Sequence, residues 1–394
     1  MPNANLTSIT PILKELYEGP ICKNVQNETV LTQRLVTSNK GVTHKAGGKY
    51  VDFPVLVGRN QGISFRAENE DLGNPGRARM KEVNVPLFYG YGRVRIQGQL
   101  FELAENDAQA FVNAVDNEME VLKESVSKDQ NRIYYGDGTG RLATISVTAN
   151  SATQTVDDAY WLEIDAEVDV MNAAGTKIGT ALTITSVDYD TNVIVLSGSV
   201  NATANTHFIV RAGNYDTATQ REPSGLGRIT DNTVNLHGLN DPYWKANVDA
   251  LNGNLSETRM IKMCDSIRRK GGKVSAIFTS LGVRRSLFNL YTQQRRFNGS
   301  MEFGGGFKAL PFQYGTSDIP VVEDPDCPSG RMYFLTESDM RVYHSQDWHF
   351  EDKTGSMFVQ VSNKDAYDCF MKRYFEMATR RRNGQGVMTG INEN

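Results

Sequence analysis

The 394-residue sequence lacks the features that mark membrane, secreted and metal-binding proteins. No stretch approaches the roughly 20 apolar residues of a membrane span. The N-terminus has no charged segment followed by an apolar run, which a signal peptide would show. Cys22, Cys264, Cys327 and Cys369 stand far apart and form no CxxC pair. Neither a zinc site nor a disulfide framework is indicated, and we expect free thiols, no membrane contact and folding in the cytoplasm.

Motifs of catalysis and cofactor binding are missing too. The glycines of "GDGTG" (136–140) have the wrong spacing for a dinucleotide fingerprint, and they follow a helix instead of opening one. A helix C-cap explains them better. Two "GGK" runs lack the Ser or Thr and the earlier glycine of a P-loop, so they are interpreted as turns. We expect no catalytic residue, no cofactor and no metal site, and the acids of "DPDCP" (324–328) and "DAEVDV" (165–170) are interpreted as turn and surface residues.

Positive charge is not in excess either, since 42 Lys and Arg stand against 46 Asp and Glu and the formal net charge is −4. This excludes an overall basic signature of tight nucleic-acid binding. Lys and Arg minus Asp and Glu give +5 for residues 1–100, −6 for 101–140, −6 for 141–222 and +3 for the remainder. Short basic runs at 267–273, 294–297 and 379–384 fit either salt bridges to neighbouring residues or contact with a nucleic-acid backbone.

The first 140 residues predict an arm, a hairpin and a helix. Residues 1–50 have little apolar surface and are interpreted as an N-terminal arm. Strand-like runs at 50–57 and 83–100 flank a polar, glycine-spaced segment, which predicts an extended β-hairpin over 51–92. A loop this long is unusual inside a compact domain, so we expect it to reach a neighbour. Apolar residues then recur at helical spacing over about 25 positions, namely Phe111, Val112, Val115, Met119, Leu122 and Val126, with Asn106 or Asp107 as the predicted N-cap and an end near 132–135.

The remaining sequence changes its pattern twice. Residues 142–222 contain five or six short runs rich in Val, Ile and Thr between Gly, Asn and Asp turns, which predicts a small barrel or sandwich inserted into a larger domain. After Gly227 helical and strand-like runs alternate, with Ser256 as a predicted N-cap. The tail again has the pattern of strands. The alternation therefore predicts α+β or α/β layers, of which we expect α+β.

The order of these parts resembles the major capsid proteins of tailed bacteriophages with the HK97-type fold. Two phrases carry the resemblance. "QGQLFELAENDAQAFVNAVDNEMEVLKESVSKDQNRIYYGDGTG" (97–140) is similar to the family's spine helix with its glycine terminus, and "GGGFKALPFQYGTSDIPVVEDPDCPSGRMYFLTESDMRVY" (304–343) to its glycine turn and following strands. The resemblance covers most of the chain outside 142–222.

This resemblance implies a shell protein that assembles with itself, as pentamers and hexamers, into an icosahedral capsid around double-stranded DNA. It implies an E-loop at 51–92, a P-domain spine helix at 93–141, an inserted domain at 142–222, an A-domain at 223–345 and shared C-terminal strands at 346–394. It further implies a separate scaffolding protein, a portal and a decoration protein as partners, and assembly in the host cytoplasm. The expected inter-subunit contacts are Arg59, Arg66, Glu68, Glu70, Asp71, Arg77 and Arg79, and the expected DNA-facing residues are Arg380, Arg381 and Arg382.

One family property is not expected in this chain. Some members link a hairpin lysine to an asparagine of a neighbour, but no lysine lies between Arg59 and Arg79, and Lys81 stands at the hairpin base. We therefore predict a shell without covalent crosslinks. Three alternatives remain open at this point: an encapsulin compartment of the same fold, an enzyme with a β-accessory domain, and a soluble binding module.

Overall fold

The computed structural model describes residues 29–35, 37–38, 50–99, 108–215, 221–293, 301–303, 307–345, 347–352 and 357–393. The predicted N-cap residues Asn106 and Asp107, and most of the predicted arm, lie outside these ranges. The helices are α1 Val30–Arg34, α2 Ala108–Tyr135, α3 Leu226–Thr230, α4 Glu257–Arg269 and α5 Leu281–Gln293. Glu337–Asp339 and Arg382–Gly384 form short 3-10 turns.

Strands supply most of the remaining regular structure. In chain order they are β1 Thr37–Ser38, β2 Tyr50–Gly58, β3 Arg79–Pro86, β4 Phe88–Gln97, β5 Arg141–Thr144, β6 Ala149–Thr155, β7 Glu167–Met171, β8 Lys177–Asp188, β9 Val193–Ala202, β10 Phe208–Arg211, β11 Asn247–Gly253, β12 Ala276–Thr279, β13 Met301–Phe303, β14 Phe307–Tyr314, β15 Ser317–Glu323, β16 Met332–Leu335, β17 Met340–His344, β18 His349–Phe350, β19 Val359–Gln360, β20 Ala366–Thr379 and β21 Gly386–Ile391.

The described chain divides into two compact units. The first, called the helix unit, comprises residues 88–223 and 346–374. The second, called the sheet unit, comprises residues 28–87, 224–345 and 375–394. Helices and strands occur together in the chain, which confirms the predicted α+β class.

In the helix unit, α2 runs for 28 residues, or roughly 42 Å at 1.5 Å per residue. It lies against β4, which pairs with β20. The close approach depends on Gly92, since a Cβ there would lie 2.9 Å from Val126 Cγ2 and 3.2 Å from Leu122 Cδ1. The helix ends at Tyr135, as the apolar spacing predicts.

The glycine run after the helix acts differently from the predicted cap in one detail. The Gly136 N–H donates to the Ile133 carbonyl at 2.9 Å, which closes the last turn. The left-handed positions come later, at Gly138 (φ 82°) and Gly140 (φ 75°). The turn that leaves the helix is therefore spread over five residues instead of being made by one αL glycine at the cap.

Six antiparallel strands follow in the spatial order β5-β10-β7-β8-β9-β6. The two outer strands continue into a bridge between Ile145 and Val156. Around it, Ser146 N–H donates to the Thr155 carbonyl and Asp157 N–H to the Thr144 carbonyl, both at 2.8 Å. These bonds join the outer strands, so the sheet has the barrel-like closure that the strand pattern indicates. Its own core contains Ile145, Leu162, Val168, Val170, Ile184, Ile194, Leu196 and Ile209. That this barrel is an insertion remains a prediction.

The sheet unit contains a mixed seven-stranded sheet in the order β11-β21-β16-β12-β15-β14-β13. Strand β12 is buried at every residue and pairs parallel with β15 and antiparallel with β16. Helix α4 begins after Ser256, the predicted N-cap residue, although the Ser256 side chain makes no capping hydrogen bond. A common core joins α4, α5 and the sheet, with Met260, Met263, Ile267, Val283, Leu287, Phe312 and Phe334 among its members.

The predicted hairpin belongs to the sheet unit and is shorter than the sequence suggests. Strands β2 and β3 pair antiparallel from Tyr50↔Pro86 to Gly58↔Arg79. Alternate residues of the hairpin face inward and pack on Leu239, Trp244, Tyr343 and Ala378. The prediction of one strand over 83–100 is wrong, because Leu87 separates β3 from β4 and β4 pairs with β20 instead.

Candidate assembly surfaces

The 20-residue loop between β2 and β3, from Arg59 to Ala78, is the most exposed segment of the described chain. Its two arms approach each other at glycines. A Cβ on Gly62 would lie 2.5 Å from the Gly76 nitrogen, and one on Gly76 would lie 2.3 Å from the Gly62 nitrogen. The Asn60 Oδ1 accepts the Gly62 N–H at 2.8 Å. The glycine spacing of the sequence therefore lets two arms of backbone run side by side.

The predicted charged contacts lie on this loop, with one exception at its base. The exposed side chains are Arg59, Arg66, Glu68, Glu70, Asp71 and Arg77. Glu70 is also used locally, since its Oε2 accepts the Ala67 N–H at 3.1 Å. Arg79 opens β3, where its Nη2 lies 3.4 Å from Asp241 Oδ2 and 3.4 Å from the Val57 carbonyl. Arg79 thus ties the hairpin to its own sheet unit.

Sequence reasoning missed the apolar side chains of the same loop. Ile63, Phe65 and Leu72 are 81%, 96% and 91% exposed. We call these three residues the hairpin tip. A signal was present in the sequence, because several large apolar residues within one polar loop are typical of an interaction site. Burying each one would contribute roughly 1.5–3 kcal/mol.

The predicted DNA-facing arginines separate into two kinds. Arg380 and Arg381 are exposed. Arg381 donates to the Gly271 carbonyl, and its Nε lies 3.6 Å from Asp339 Oδ2. Arg382 is wrongly assigned to this set, since it is fully buried and donates to the backbone carbonyls of Ile229 at 2.7 Å, Val234 at 3.4 Å and Asp231. Burial lowers the pKa of Arg382 to about 10, which leaves it a cation at neutral pH.

A charged cluster ties the barrel to the end of α2. Asp129 accepts from Arg132 Nε at 2.8 Å and from Arg211 Nη1 at 2.7 Å, and Arg132 Nη2 also donates to Glu222 Oε1 at 2.8 Å. Burial opposes ionisation of Asp129, but the two guanidinium groups outweigh it and hold the pKa of that carboxyl below its usual range. The cluster thus holds the end of the barrel, at Arg211, and the segment after it, at Glu222, on the helix.

A second buried pair lies in the sheet unit. His237 Nε2 and Glu376 Oε1 are 3.8 Å apart, and both side chains are almost completely buried. Both carboxylate oxygens of Glu376 accept the Ser224 N–H, at 3.0 and 3.1 Å. Burial raises the pKa of Glu376 well above its ordinary value and lowers the pKa of His237 to about 3. The pair is therefore two neutral groups rather than an ion pair.

Metal-binding geometry is not found within the described ranges, where no group of three or more His, Cys, Asp or Glu side chains could hold an ion. Asp324 of "DPDCP" serves the backbone instead, with Oδ2 accepting the Leu31 N–H at 3.1 Å and Oδ1 the Asp326 N–H at 3.0 Å. The described cysteines, Cys264, Cys327 and Cys369, are buried thiols. None of the described helices has the length and apolar character to span a membrane.

These features can be compared with known proteins. The model of the SU10 major capsid protein family matches residues 199–361. The fold is similar to that of a chain from the cyanophage A-1(L) capsid asymmetric unit, with a TM-score of 0.56 at 15% identity, and the match covers 97% of this chain and 98% of that chain. The predicted resemblance to phage capsid proteins is therefore confirmed at the level of the fold.

Other capsid-like chains are more distant. The capsid chain of a native GTA particle matches with a TM-score of 0.50 at 9% identity, over 99% of both chains. An encapsulin chain from the holo-SrpI complex of Synechococcus elongatus PCC 7942 matches at 0.49 and 7% identity, over 100% of this chain and 97% of that chain. A likeness this remote carries no argument for an encapsulin. A comparison with curated proteins finds no match.

Proposed function

We propose that this chain is a major capsid protein, a structural, non-enzymatic subunit that forms hexamers and pentamers of an icosahedral shell around phage double-stranded DNA. The observation that carries the proposal is the hairpin tip. Its three apolar side chains are more than 80% exposed in the single chain, within a fold of the capsid type. A neighbouring subunit is the natural cover, and repeated head-to-tail contacts of one kind generate rings.

The other parts take roles that follow from this arrangement. The hairpin lies over a neighbouring subunit, with the loop charges from Arg59 to Arg77 setting its register. Residues 223–345 pack around the symmetry axes, and the acidic barrel lies on the outer surface. We place assembly in the host cytoplasm, with a scaffolding protein, a portal and a decoration protein as partners. Arg380 and Arg381 face the packaged DNA, where cationic side chains would offset phosphate charge.

Electron microscopy of the purified full-length chain, produced alone and with the proteins encoded beside it, tests this proposal. We expect closed shells, or rings and sheets of hexamers, and in particles from infected cells double-stranded DNA protected from nuclease. Arg380→Gln particles should retain less DNA after a salt wash than unaltered ones, because one phosphate contact per subunit is lost. Monomers under all assembly conditions would overturn the proposal, as would shells that enclose protein cargo and no DNA.

A further inference from the structure

The barrel carries an exposed aromatic surface at one end, formed by two segments that hold each other in place. One is the stretch between β6 and β7 (157–166), and the other is the turn between β8 and β9 (189–192). The Tyr189 hydroxyl donates to the Leu162 carbonyl at 3.1 Å, and the Ala159 N–H donates to Asn192 Oδ1 at 3.0 Å. The two segments therefore form one surface.

Three large side chains of this surface face solvent. Tyr160, Ile164 and Tyr189 are 42%, 57% and 55% exposed. We call these three residues the Tyr160 face. The backbone that carries these side chains is held in place by hydrogen bonds. The Tyr160 N–H donates to Asp158 Oδ1 at 2.9 Å, and the Asp165 N–H donates to the Ile184 carbonyl at 2.9 Å. A partner that binds here meets rings that are already positioned.

The exposed charged side chains of the two segments that form the Tyr160 face are all acidic. The two segments with the adjoining Asp188 contain six exposed acids and neither lysine nor arginine; the acids are Asp157, Asp158, Glu163, Asp165, Asp188 and Asp190. The chain itself shows which ligand such rings accept. The ammonium of Lys128 lies 5.8 Å from the centre of the Tyr160 ring and 5.7 Å from that of Trp161. This is cation–π distance.

We propose that the Tyr160 face binds a segment of another protein in which an apolar side chain stands between lysines or arginines. The cations would lie over the exposed rings and between the acids, and the apolar side chain would cover Ile164. Nucleic acid is disfavoured because its phosphates would meet the six acids. A second copy using the same face is disfavoured as well, since a two-fold contact would place acids opposite acids.

Fluorescence anisotropy on the full-length chain tests this with a labelled Gly-Lys-Arg-Leu-Lys-Arg-Gly peptide as the probe. Tyr160→Ser with Ile164→Ser keeps every acid and should weaken binding about tenfold or more, because ring and aliphatic contacts are lost together. Glu163→Gln with Asp190→Asn keeps the apolar contacts and should weaken binding to a similar degree, mainly at low salt. Tyr243→Ser removes a tyrosine that is 68% exposed elsewhere and should leave binding unchanged.

Folding of each variant is confirmed first by its circular dichroism and its melting temperature. Ile164→Ser alone, which disturbs no hydrogen bond of the surface, should still weaken peptide binding severalfold. Equal binding by all variants would mean diffuse charge attraction and would overturn the proposal. It would also be overturned if a Gly-Glu-Asp-Leu-Glu-Asp-Gly peptide bound as well, or if Ile164→Ser changed only self-association in sedimentation velocity.

Discussion

Burial, more than pairing, sets the charge of the His237–Glu376 pair. His237 occupies the first left-handed position of a tight turn, with φ of 50°, followed by Gly238 at 80°. Its pKa falls to about 3 chiefly through burial; a hydrogen bond to the Met377 backbone opposes the fall, and the charges of Arg228 and Arg382 add to it. A folded pKa below the unfolded one means that stability is present above pH 6.5 and is lost as the pH falls through the folded value.

His237→Asn should therefore flatten the acid limb of the stability curve. Asn accepts the left-handed turn and does not titrate, so the fold is kept. As the pH falls from 6.5 to about 3, protonation of the unfolded histidine costs the unaltered chain roughly 1.4 kcal/mol of stability per pH unit. The stability of the variant should fall less than that of the unaltered chain over this range, by as much as a few kcal/mol. Melting temperatures measured across this range compare the two chains, and parallel curves would contradict the lowered pKa of His237.

Glu376→Gln changes the other member of the pair. Its effect on folding stability should appear as the pH rises, whereas that of His237→Asn appears as the pH falls. The folded pKa of Glu376 is raised, so its stabilising contribution is present below its unfolded value of 4.5 and is lost as the pH rises. Glutamine can still accept the Ser224 N–H and carries no charge to desolvate. The variant should thus gain stability relative to the parent as the pH increases above 4.5, which separates its effect from that of His237.

At the scale of elements, local signals located helices well and strand partners poorly. The end of α2 at Tyr135 follows from apolar spacing, and the start of α4 follows from the serine at its N-cap position, although the Ser256 side chain makes no capping hydrogen bond. The partner of β4 could not be predicted, because β20 lies about 270 residues further along and neither strand specifies the other by composition. The second "GGK" run, Gly271–Lys273, forms a more specific structure than the plain turn that its sequence predicts.

The end of α4 is a Schellman motif built on this glycine pair. The Gly271 N–H donates to the Arg268 carbonyl at 2.9 Å and the Gly272 N–H to the Ile267 carbonyl at 3.0 Å. Gly271 has φ of 88°, and a Cβ on Gly272 would lie 2.8 Å from Gly384 Cα. Gly271→Ala should cost about 1 kcal/mol through backbone strain, and Gly272→Ala should cost at least as much because backbone must move.

Chemical denaturation of the full-length chain measures these costs. Gly253→Ala is the matched control, since a Cβ there meets only the Leu251 carbonyl at 3.8 Å and its φ is not in the left-handed region. The control should change the denaturation midpoint little. If Gly271→Ala behaved like Gly253→Ala, the left-handed cap would not contribute to the stability of α4.

For the whole molecule, the order of parts was predictable and the assignment of surfaces was only partly so. The sequence order of hairpin, long helix, β-rich block and mixed domain carried the resemblance to capsid proteins. The burial of Arg382 could not be read from it, because the acceptors are backbone carbonyls about 150 residues earlier with no side-chain signature. The hairpin tip differs from Arg382, because its side chains can be found in the sequence: exposed apolar area would supply more association free energy than the exposed charges of the same loop.

If the proposed function holds, we expect the hairpin tip to decide assembly and the shell to need no covalent links. Phe65 is 96% exposed, so Phe65→Asp should leave the melting temperature of the single chain nearly unchanged. The same variant should abolish closed shells in electron micrographs, because a charge would be buried at each subunit contact. Phe65→Leu keeps an apolar side chain and should still assemble.

Shells of the unaltered protein, boiled in SDS, should run as one monomer band, since the loop has no lysine. A ladder of multimers, or normal shells from Phe65→Asp, would contradict this assignment of the hairpin tip as a non-covalent subunit contact.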